Sequence, residues 1–120
     1  MAILDTQILR GILENLNQVN GIKGSAVVSR DGLIMVSTFD DPGFNDKLGA
    51  MTTASLNPAN STLEELSLGK NWALILLGTE GGLLVKEIDD DMVLSVVVNP
   101  GTSIAPVVEA MKKAVNEILG

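Results

Sequence analysis

The stretch from Asn71 to Val98, NWALILLGTEGGLLVKEIDDDMVLSVVV, decides the fold of this chain. It contains three apolar runs separated by two short polar breaks. The runs are Trp72–Leu77, Leu83–Ile88 and Met92–Val98, and the breaks are Thr79–Gly82 and Asp89–Asp91. Short runs rich in Val, Ile and Leu between turn residues are typical of strands joined by hairpins. The stretch therefore predicts three consecutive antiparallel strands.

The first run, Trp72–Leu77, is apolar at every position. Successive side chains of a strand point to opposite faces, so both faces of this strand need a cover. Trp72, Leu74 and Leu76 are predicted on one face, and Ala73, Ile75 and Leu77 on the other. A chain of 120 residues has few helices, so a second copy of the protein is a candidate for part of the cover.

A helix is predicted near the start of the chain. Apolar residues recur at spacings of one, three and four between Ile8 and Val19, which forms one helical stripe. Asp5 or Thr6 is the predicted N-terminal cap. Gly11 lies inside this helix, where glycine costs about 1 kcal/mol relative to alanine, and a close packing contact is the expected reason for it.

A β-hairpin is predicted next. The apolar runs Gly24–Ser29 and Leu33–Thr38 flank Arg30-Asp31-Gly32, and Asp-Gly between apolar runs is a strong hairpin signal. The following residues, Phe39–Phe44, are predicted as a loop.

The segment Asn45–Leu68 has two interpretations, because Asn57-Pro58 interrupts an incomplete helical stripe. One helix runs through with a kink at Pro58, or a second helix starts there with Asn57 as its cap. The capping-box spacing of Ser61 and Glu64 marks another possible start. We expect a broken or kinked helical segment that ends at Gly69. Its small residues, Gly49 to Ser55, would let another helix approach closely.

A final helix is predicted from Ile104 to Ile118, with Thr102 or Ser103 as its cap. The element order is then α-β-β-α-β-β-β-α. Because the strand connections within each group are short hairpins, the sheet is expected to be mainly antiparallel and the class α+β. Residues 1–120 are expected to form one domain, since a chain of this length can bury one core.

Composition argues against several kinds of partner. The net charge is −7 and only 2% of residues are aromatic, whereas nucleic acids require clustered basic residues and aromatic stacking platforms. No apolar run approaches the roughly 20 residues that cross a bilayer, so no membrane insertion is expected. Met1–Asp5 lacks the basic start and long apolar run of a signal peptide, and a cytoplasmic location is expected.

The chain contains neither histidine nor cysteine. Their absence removes the commonest general base, thiol nucleophiles and the usual ligands of transition metals. No phosphate-binding loop is present, because nothing matches GxxxxGK[ST]. The sequence therefore predicts no catalytic residue, no metal site and no cofactor, and the chain is not expected to be an enzyme.

Three features of the sequence each have two interpretations. Asp89–Asp91 could bind Ca²⁺ or Mg²⁺ through oxygen atoms, but it lacks calcium-loop spacing and a solvated hairpin turn is favoured. Arg30 could act as an arginine finger on a bound nucleotide, although a solvated turn arginine is favoured. Trp72 is either an interface anchor or a core residue at a strand end.

The segment Gly21–Ser37, GIKGSAVVSRDGLIMVS, resembles the first hairpin of the roadblock / dynein light chain family, in which the pattern G-x-x-G-a-x-v-x-x-x-D-G-l recurs. Leu66-Ser67-Leu68-Gly69 followed by a strand also fits the family, as does the element order. The similarity extends from about Leu4 to Leu119 and is closest to stand-alone domains of the prokaryotic type. Asn57-Pro58 departs from the family's usual uninterrupted central helix.

The resemblance implies a profilin-like α/β/α sandwich with five strands, the first and last helices lying on one face. It also implies a homodimer joined through the central helix and the strand that starts near Asn71. The interface is then expected to include Leu48, Met51, Thr52, Ser55, Trp72, Leu74 and Leu76.

Members of the family are typically non-catalytic platforms that bind or regulate Ras-like small GTPases, so the resemblance implies such a GTPase as a partner. A motor, cargo or complex-assembly adaptor is the alternative. A small-ligand sensor domain and a small hydrolase at Ser25 or Ser29 beside Lys23 are the remaining classes, and no sequence feature marks either site.

Overall fold

The computed structural model describes residues 5–120, and Met1–Leu4, on which the expected absence of a signal peptide mainly rests, lie outside them. The elements are α1 (Thr6–Leu16), β1 (Ile22–Ser29), β2 (Ile34–Ser37), α2 (Pro42–Glu65), β3 (Leu74–Gly78), β4 (Gly81–Glu87), β5 (Met92–Val98) and α3 (Ile104–Leu119). The predicted α-β-β-α-β-β-β-α order is confirmed. All strand pairs are antiparallel, in the order β2-β1-β5-β4-β3, which confirms the α+β class.

The helices cover the two faces of the sheet unequally. α1 and α3 contact each other and pack on one face, where the main core lies. That core joins Leu13 of α1 and Met111 of α3 to Leu84, Leu94 and Val96 of the central strands. α2 covers the opposite face through two smaller clusters, one centred on Leu48 and the other on Leu56.

Helix α1 begins as its sequence predicts, with Asp5 as the cap. The Asp5 carboxylate accepts hydrogen bonds from the backbone N–H groups of Gln7 at 2.9 Å and Ile8 at 3.2 Å. The explanation offered for Gly11 is wrong, because a Cβ atom there would have no neighbour within 4 Å. This glycine therefore weakens the helix without a packing contact in return.

Helix α2 is one continuous helix from Pro42 to Glu65, with Pro58 inside it. The interpretation in which a second helix starts at Asn57 is therefore wrong. Pro58 removes one backbone N–H, but the proline and Ala54, whose carbonyl loses that partner, both lie on the exposed side of the helix. Water can bond that carbonyl, and the buried Leu56 holds the helix on the sheet across the interruption.

The ends of α2 also differ from the prediction. Asp41 caps the helix by accepting a hydrogen bond from Gly43 N–H at 2.9 Å, so the predicted loop Phe39–Phe44 is wrong for its last three residues. At the other end, Leu68 N–H donates to the Leu63 carbonyl and Ser67 adopts a positive φ of 56°. This Schellman-type arrangement ends the helix before Gly69.

The turn between β1 and β2 lies directly against α2. Gly49 of α2 meets the backbone of Gly32 so closely that a Cβ atom at Gly49 would overlap the Gly32 carbonyl oxygen. Gly32 itself has a positive φ of 88°. A Cβ atom added at Gly32 would lie 3.1 Å from Thr53 Oγ1 of α2. Gly49 is therefore required by the chain's own hairpin, which accounts for part of the small-residue face of α2.

Candidate interaction surface

Strand β3 forms one edge of the sheet and pairs only with β4 among the described strands. Its side chains are poorly covered: Leu76 is 44% exposed and Leu77 is 68% exposed. The expectation that the chain itself leaves this apolar strand short of cover is therefore met in residues 5–120. An exposed apolar strand at the edge of a sheet is a template for pairing with another chain.

The register with β4 assigns the side chains of β3 to two faces. Leu74 pairs with Val85 and Leu76 with Leu83, and both partners pack on the α2 side. Ile75 pairs with Leu84, which belongs to the core beneath α1 and α3. Leu74 and Leu76 thus face the α2 side, whereas Ile75 and Leu77 face the α3 side, as the alternation predicts.

The structure divides the predicted interface residues of α2 into two groups. Leu48 and Thr52 are buried within the chain, and Thr52 Oγ1 shares a hydrogen bond of 2.9 Å with Ser95 Oγ of β5. These two side chains face the chain's own sheet, so they are removed from the outer surface. Met51 is 53% exposed, and Ser55 is half-buried.

The outward side of α2 carries an exposed stripe in which small and apolar residues lie beside the polar residues Lys47 and Asn57. Its exposed members lie three or four positions apart, as residues on one face of a helix do. We call this surface the outer α2 stripe, and it consists of Lys47, Ala50, Met51, Ala54, Asn57 and Pro58. Met51, Ala50 and Ala54 lie in the part of α2 that the sequence predicts as a surface for another helix, whereas Lys47, Asn57 and Pro58 were not predicted there.

Trp72 lies on a different side from the one predicted. The Lys86 ammonium nitrogen is 5.0 Å from the centre of the Trp72 ring and donates a hydrogen bond of 2.6 Å to the Trp72 carbonyl. Lys86 follows Val85 in β4, and adjacent side chains of a strand point to opposite faces of the sheet. Because Val85 faces α2, Lys86 points to the α3 side. The prediction that Trp72 shares a face with Leu74 and Leu76 is wrong because β3 starts only at Leu74.

Arg30 is held in a network of long-range contacts. Its guanidinium forms an ion pair of 2.7 Å with Glu87 and donates a hydrogen bond of 2.8 Å to the Asp89 carbonyl. Glu87 also accepts from the Asn60 amide at 2.9 Å, and Asn60 in turn accepts from Asn71. The network ties the β1–β2 turn and β4 to α2, so Arg30 is neither a freely solvated turn residue nor projected outward as a finger.

The pKa of Glu87 reflects two opposed effects. Burial raises it, but hydrogen bonds from Arg30 and Asn60 and the charge of Arg30 favour the ionised form, and the net result is a pKa below the usual 4.5. The carboxylate is therefore ionised at neutral pH and stabilises the native state there. This contribution is present above pH 4.5 and is lost as pH falls from 4.5 through the lowered native pKa.

Replacing Glu87 by Gln is expected to lower the free energy of unfolding by about 1–2 kcal/mol at pH 7, because a charge-assisted contact is lost. Urea denaturation at pH 7 and at pH 3 measures the effect. The difference in unfolding free energy between variant and wild type should be smaller at pH 3, where less of the Glu87 carboxylate is ionised. Glu64→Gln, at a neighbouring exposed position, is the control and should change stability by less than about 0.5 kcal/mol. An equal gap at both pH values would contradict a role for the charge.

The acidic turn Asp89–Asp91 is organised by its own backbone. Asp89 Oδ1 accepts hydrogen bonds of 2.8 Å from the N–H groups of Asp91 and Met92. Within residues 5–120, no group of three or more His, Cys, Asp or Glu residues is placed to hold a metal ion. The geometry is that of a hairpin turn stabilised by an aspartate.

A depression of about 500 Å³ lies at one end of the sheet, between the loops around Gly21 and Gly101. Asn20, Asn99 and Thr102 line it together with small residues, and no charged side chain takes part. A small-ligand site needs convergent polar groups in a concave pocket, and this depression offers only loop amides and hydroxyls.

Across the described part of the chain, no helix is both long and apolar enough to span a membrane.

Comparison with known proteins relates the whole fold to one family. The family model of the Roadblock/LC7 domain matches residues 10–99. The uncharacterized protein MJ0310 of Methanocaldococcus jannaschii is 29% identical over 107 residues, which cover 89% of this chain and 93% of that protein. The structure of Myxococcus xanthus MglB superimposes with a TM-score of 0.84 at 17% identity, covering 99% of this chain and 90% of MglB.

A more distant structure tests the profilin-like fold. Profilin IA of Acanthamoeba castellanii superimposes with a TM-score of 0.58 at 11% identity, covering 96% of each chain, and the predicted fold class is confirmed. At such identities, the solved structures show the fold alone. The family match is different in kind, because it rests on the sequence over most of the 120 residues. The chain belongs to the Roadblock/LC7 domain family.

Proposed function

We propose that this protein is a non-catalytic platform that forms a homodimer and binds a Ras-like small GTPase. The observation that carries the proposal is the exposed apolar edge of β3 beside the outer α2 stripe, a surface that the chain does not cover itself. Membership of the Roadblock/LC7 domain family supports the GTPase as the kind of partner.

The exposed edge of β3 supports the homodimer. If β3 pairs with β3 of a second copy, the unpaired backbone groups of both edges are satisfied and the sheet becomes continuous. The twofold symmetry then sets the two α2 helices side by side on one face. Met51, Leu76 and the exposed alanines of α2 are buried together in this arrangement, and a stable interface requires about 800 Å² per partner.

The GTPase would bind to a broad, rigid surface rather than to a catalytic arm. The net charge of −7 favours association with a basic patch on the partner and increases the association rate at low salt. Arg30, the strongest candidate for an arginine finger, is held by Glu87 and the Asp89 carbonyl. Any effect on GTP hydrolysis would therefore come from holding the switch loops of the GTPase in one arrangement.

Calorimetry tests the proposal directly. The dimer is titrated with each Ras-like GTPase of the same cell, in the GDP form and with a GTP analogue. Binding with a dissociation constant below about 100 µM in at least one nucleotide state is expected, which corresponds to roughly −5.5 kcal/mol. Absence of binding in both states would reject the GTPase and favour the adaptor function.

The mode of action is tested separately with Arg30→Ala. Any stimulation of GTP hydrolysis by the wild-type protein should persist in this variant, measured at a temperature where circular dichroism shows it to be folded. Glu87→Gln is the matched control, since it disturbs the same network without removing the arginine. A loss of stimulation in Arg30→Ala alone would show that the guanidinium acts on the nucleotide.

A further inference from the structure

A small notch lies on the α2 side of the sheet, at the point where β2 leads into α2. Its volume is about 200 Å³, and its lining combines two aromatic rings with charged side chains, namely Lys23, Phe39, Asp40, Asp41 and Phe44. Pockets for drug-sized ligands hold roughly 300–1,000 Å³, so this notch has room for a single side chain. We call it the Phe39–Phe44 notch.

The floor of the notch, Phe39, is held in place by the chain itself. Its N–H group donates a hydrogen bond of 3.0 Å to Ser37 Oγ, and its carbonyl accepts one of 2.9 Å from the Asn45 amide. The ring lies so close to Gly24 that a Cβ atom at Gly24 would overlap it. A ligand therefore meets a preformed surface, and less ordering is needed on binding.

The wall of the notch is Phe44, in the first turn of α2. Its ring centre lies 4.7 Å from that of Phe39, with an angle of 57° between the two planes, and Phe44 remains 38% exposed. Asp41 accepts hydrogen bonds from the N–H groups of Gly43 and Phe44, which fixes the start of the helix. The notch thus presents an exposed aromatic ring at a defined position.

The charges around the notch favour a cation. Two carboxylates line it, whereas Lys23 is the only cation among the described residues of the lining. Because Asp41 is engaged in capping α2, Asp40 is the carboxylate available to a ligand. An arginine side chain matches both features of the notch, since its flat guanidinium stacks on aromatic rings and bonds a carboxylate through two parallel hydrogen bonds. A lysine ammonium pairs with a carboxylate but has no plane that stacks.

We propose that the Phe39–Phe44 notch receives an arginine side chain of a partner protein, with the guanidinium against Phe44 and paired with Asp40. Phe44, Lys47 and Met51 follow one another at spacings of three and four, so the notch lies at the N-terminal end of the outer α2 stripe. It is about 10 Å along the helix from Met51, within reach of a partner that lies on the stripe. The notch is formed within one chain, so it depends on neither the proposed homodimer nor the proposed GTPase.

A nuclear magnetic resonance titration of the whole protein with small probes tests the proposal. N-acetyl-arginine amide should shift the backbone amide signals of Gly24, Phe39, Gly43 and Phe44, with a dissociation constant in the millimolar range, as expected for one side chain. N-acetyl-citrulline amide has a similar shape without the charge and should give no saturable shift. N-acetyl-lysine amide should bind about threefold more weakly than the arginine probe. Shifts located elsewhere, or either control probe binding as tightly as the arginine probe, would overturn the proposal.

Free L-arginine distinguishes a protein partner from a small-molecule ligand. It should bind no more tightly than the capped probe, because the notch has room for the side chain alone. Clearly tighter binding of the free amino acid would mean that its ammonium and carboxylate are also recognised, and it would reject the protein partner.

Variants locate the bound side chain. Asp40→Asn should weaken the arginine probe about fivefold, the upper end for an exposed ion pair. Asp46→Asn, the same change at an exposed position outside the lining, is the matched control and should have no effect. Lys23→Gln should strengthen binding by removing a repelling charge, and Phe44→Leu should weaken it about threefold by removing the ring. The remaining amide signals show whether each variant is folded, and unchanged binding by folded Asp40→Asn or Phe44→Leu protein would contradict the proposal.

Discussion

A Gly49→Ala variant is expected to lose about 3 kcal/mol of unfolding free energy, the upper part of the range for overpacking a well-fitted contact. The added methyl group would overlap the carbonyl oxygen of Gly32, which is backbone and has no rotamer through which to move away. Gly32 is itself constrained by its positive φ. Either α2 or the β1–β2 turn must shift, and the contacts of Leu48 with β1 are then weakened.

Urea denaturation followed by circular dichroism measures this loss. Gly11→Ala is the matched control, because it makes the same chemical change in a helix where the new methyl group meets nothing within 4 Å. That variant should gain about 0.5–1 kcal/mol from helix propensity. A Gly49→Ala protein as stable as the wild type would contradict this close contact between α2 and the β1–β2 turn.

The second large effect concerns self-association. The wild-type protein is expected to have about twice the 12.6 kDa mass of one chain at micromolar concentration. The double variant Met51→Asp with Leu76→Asp should dissociate to the single-chain mass, because each change would bury a charge in the proposed interface without a partner. A loss of about 3 kcal/mol of association free energy corresponds to a factor of about one hundred in the dissociation constant.

Light scattering with in-line chromatography decides the outcome. Both positions are exposed in the single chain, so the variant should keep the circular dichroism spectrum of the wild type. Leu33→Asp, on the far side of the sheet, is the control and should leave the dimer intact. A wild-type mass of 12.6 kDa, or a double variant that still dimerises, would contradict the proposed interface.

Local sequence patterns correctly predicted most of the elements. β5 spans Met92–Val98 as the apolar run indicates, and α3 starts at Ile104 as its stripe indicates. These elements are set by short-range regularities: alternation in strands, spacings of three and four in helices, and Asp-Gly turns between apolar runs. Each of these rules involves only neighbours along the chain.

The errors lie where a contact between distant residues outweighs a local preference. Pro58 is a local helix breaker, yet α2 continues through it because Leu56 is buried against Val85 and Val93 and Asn60 is bonded to Glu87. Arg30 and Glu87 are far apart in sequence, and no spacing rule links them.

The candidate surface depends on the same distinction. The sequence by itself determined that the run Trp72–Leu77 is apolar on both faces, and it predicted that the few helices of this chain would not cover both. Only the tertiary structure decided that Leu48 and Thr52 face inward, since α2 has small residues on more than one side and its orientation is set by packing on the sheet. The tertiary structure also decided that Trp72 turns toward Lys86. Side chains alternate between the two faces of a sheet only within the paired strand, and the pairing of β3 begins at Leu74.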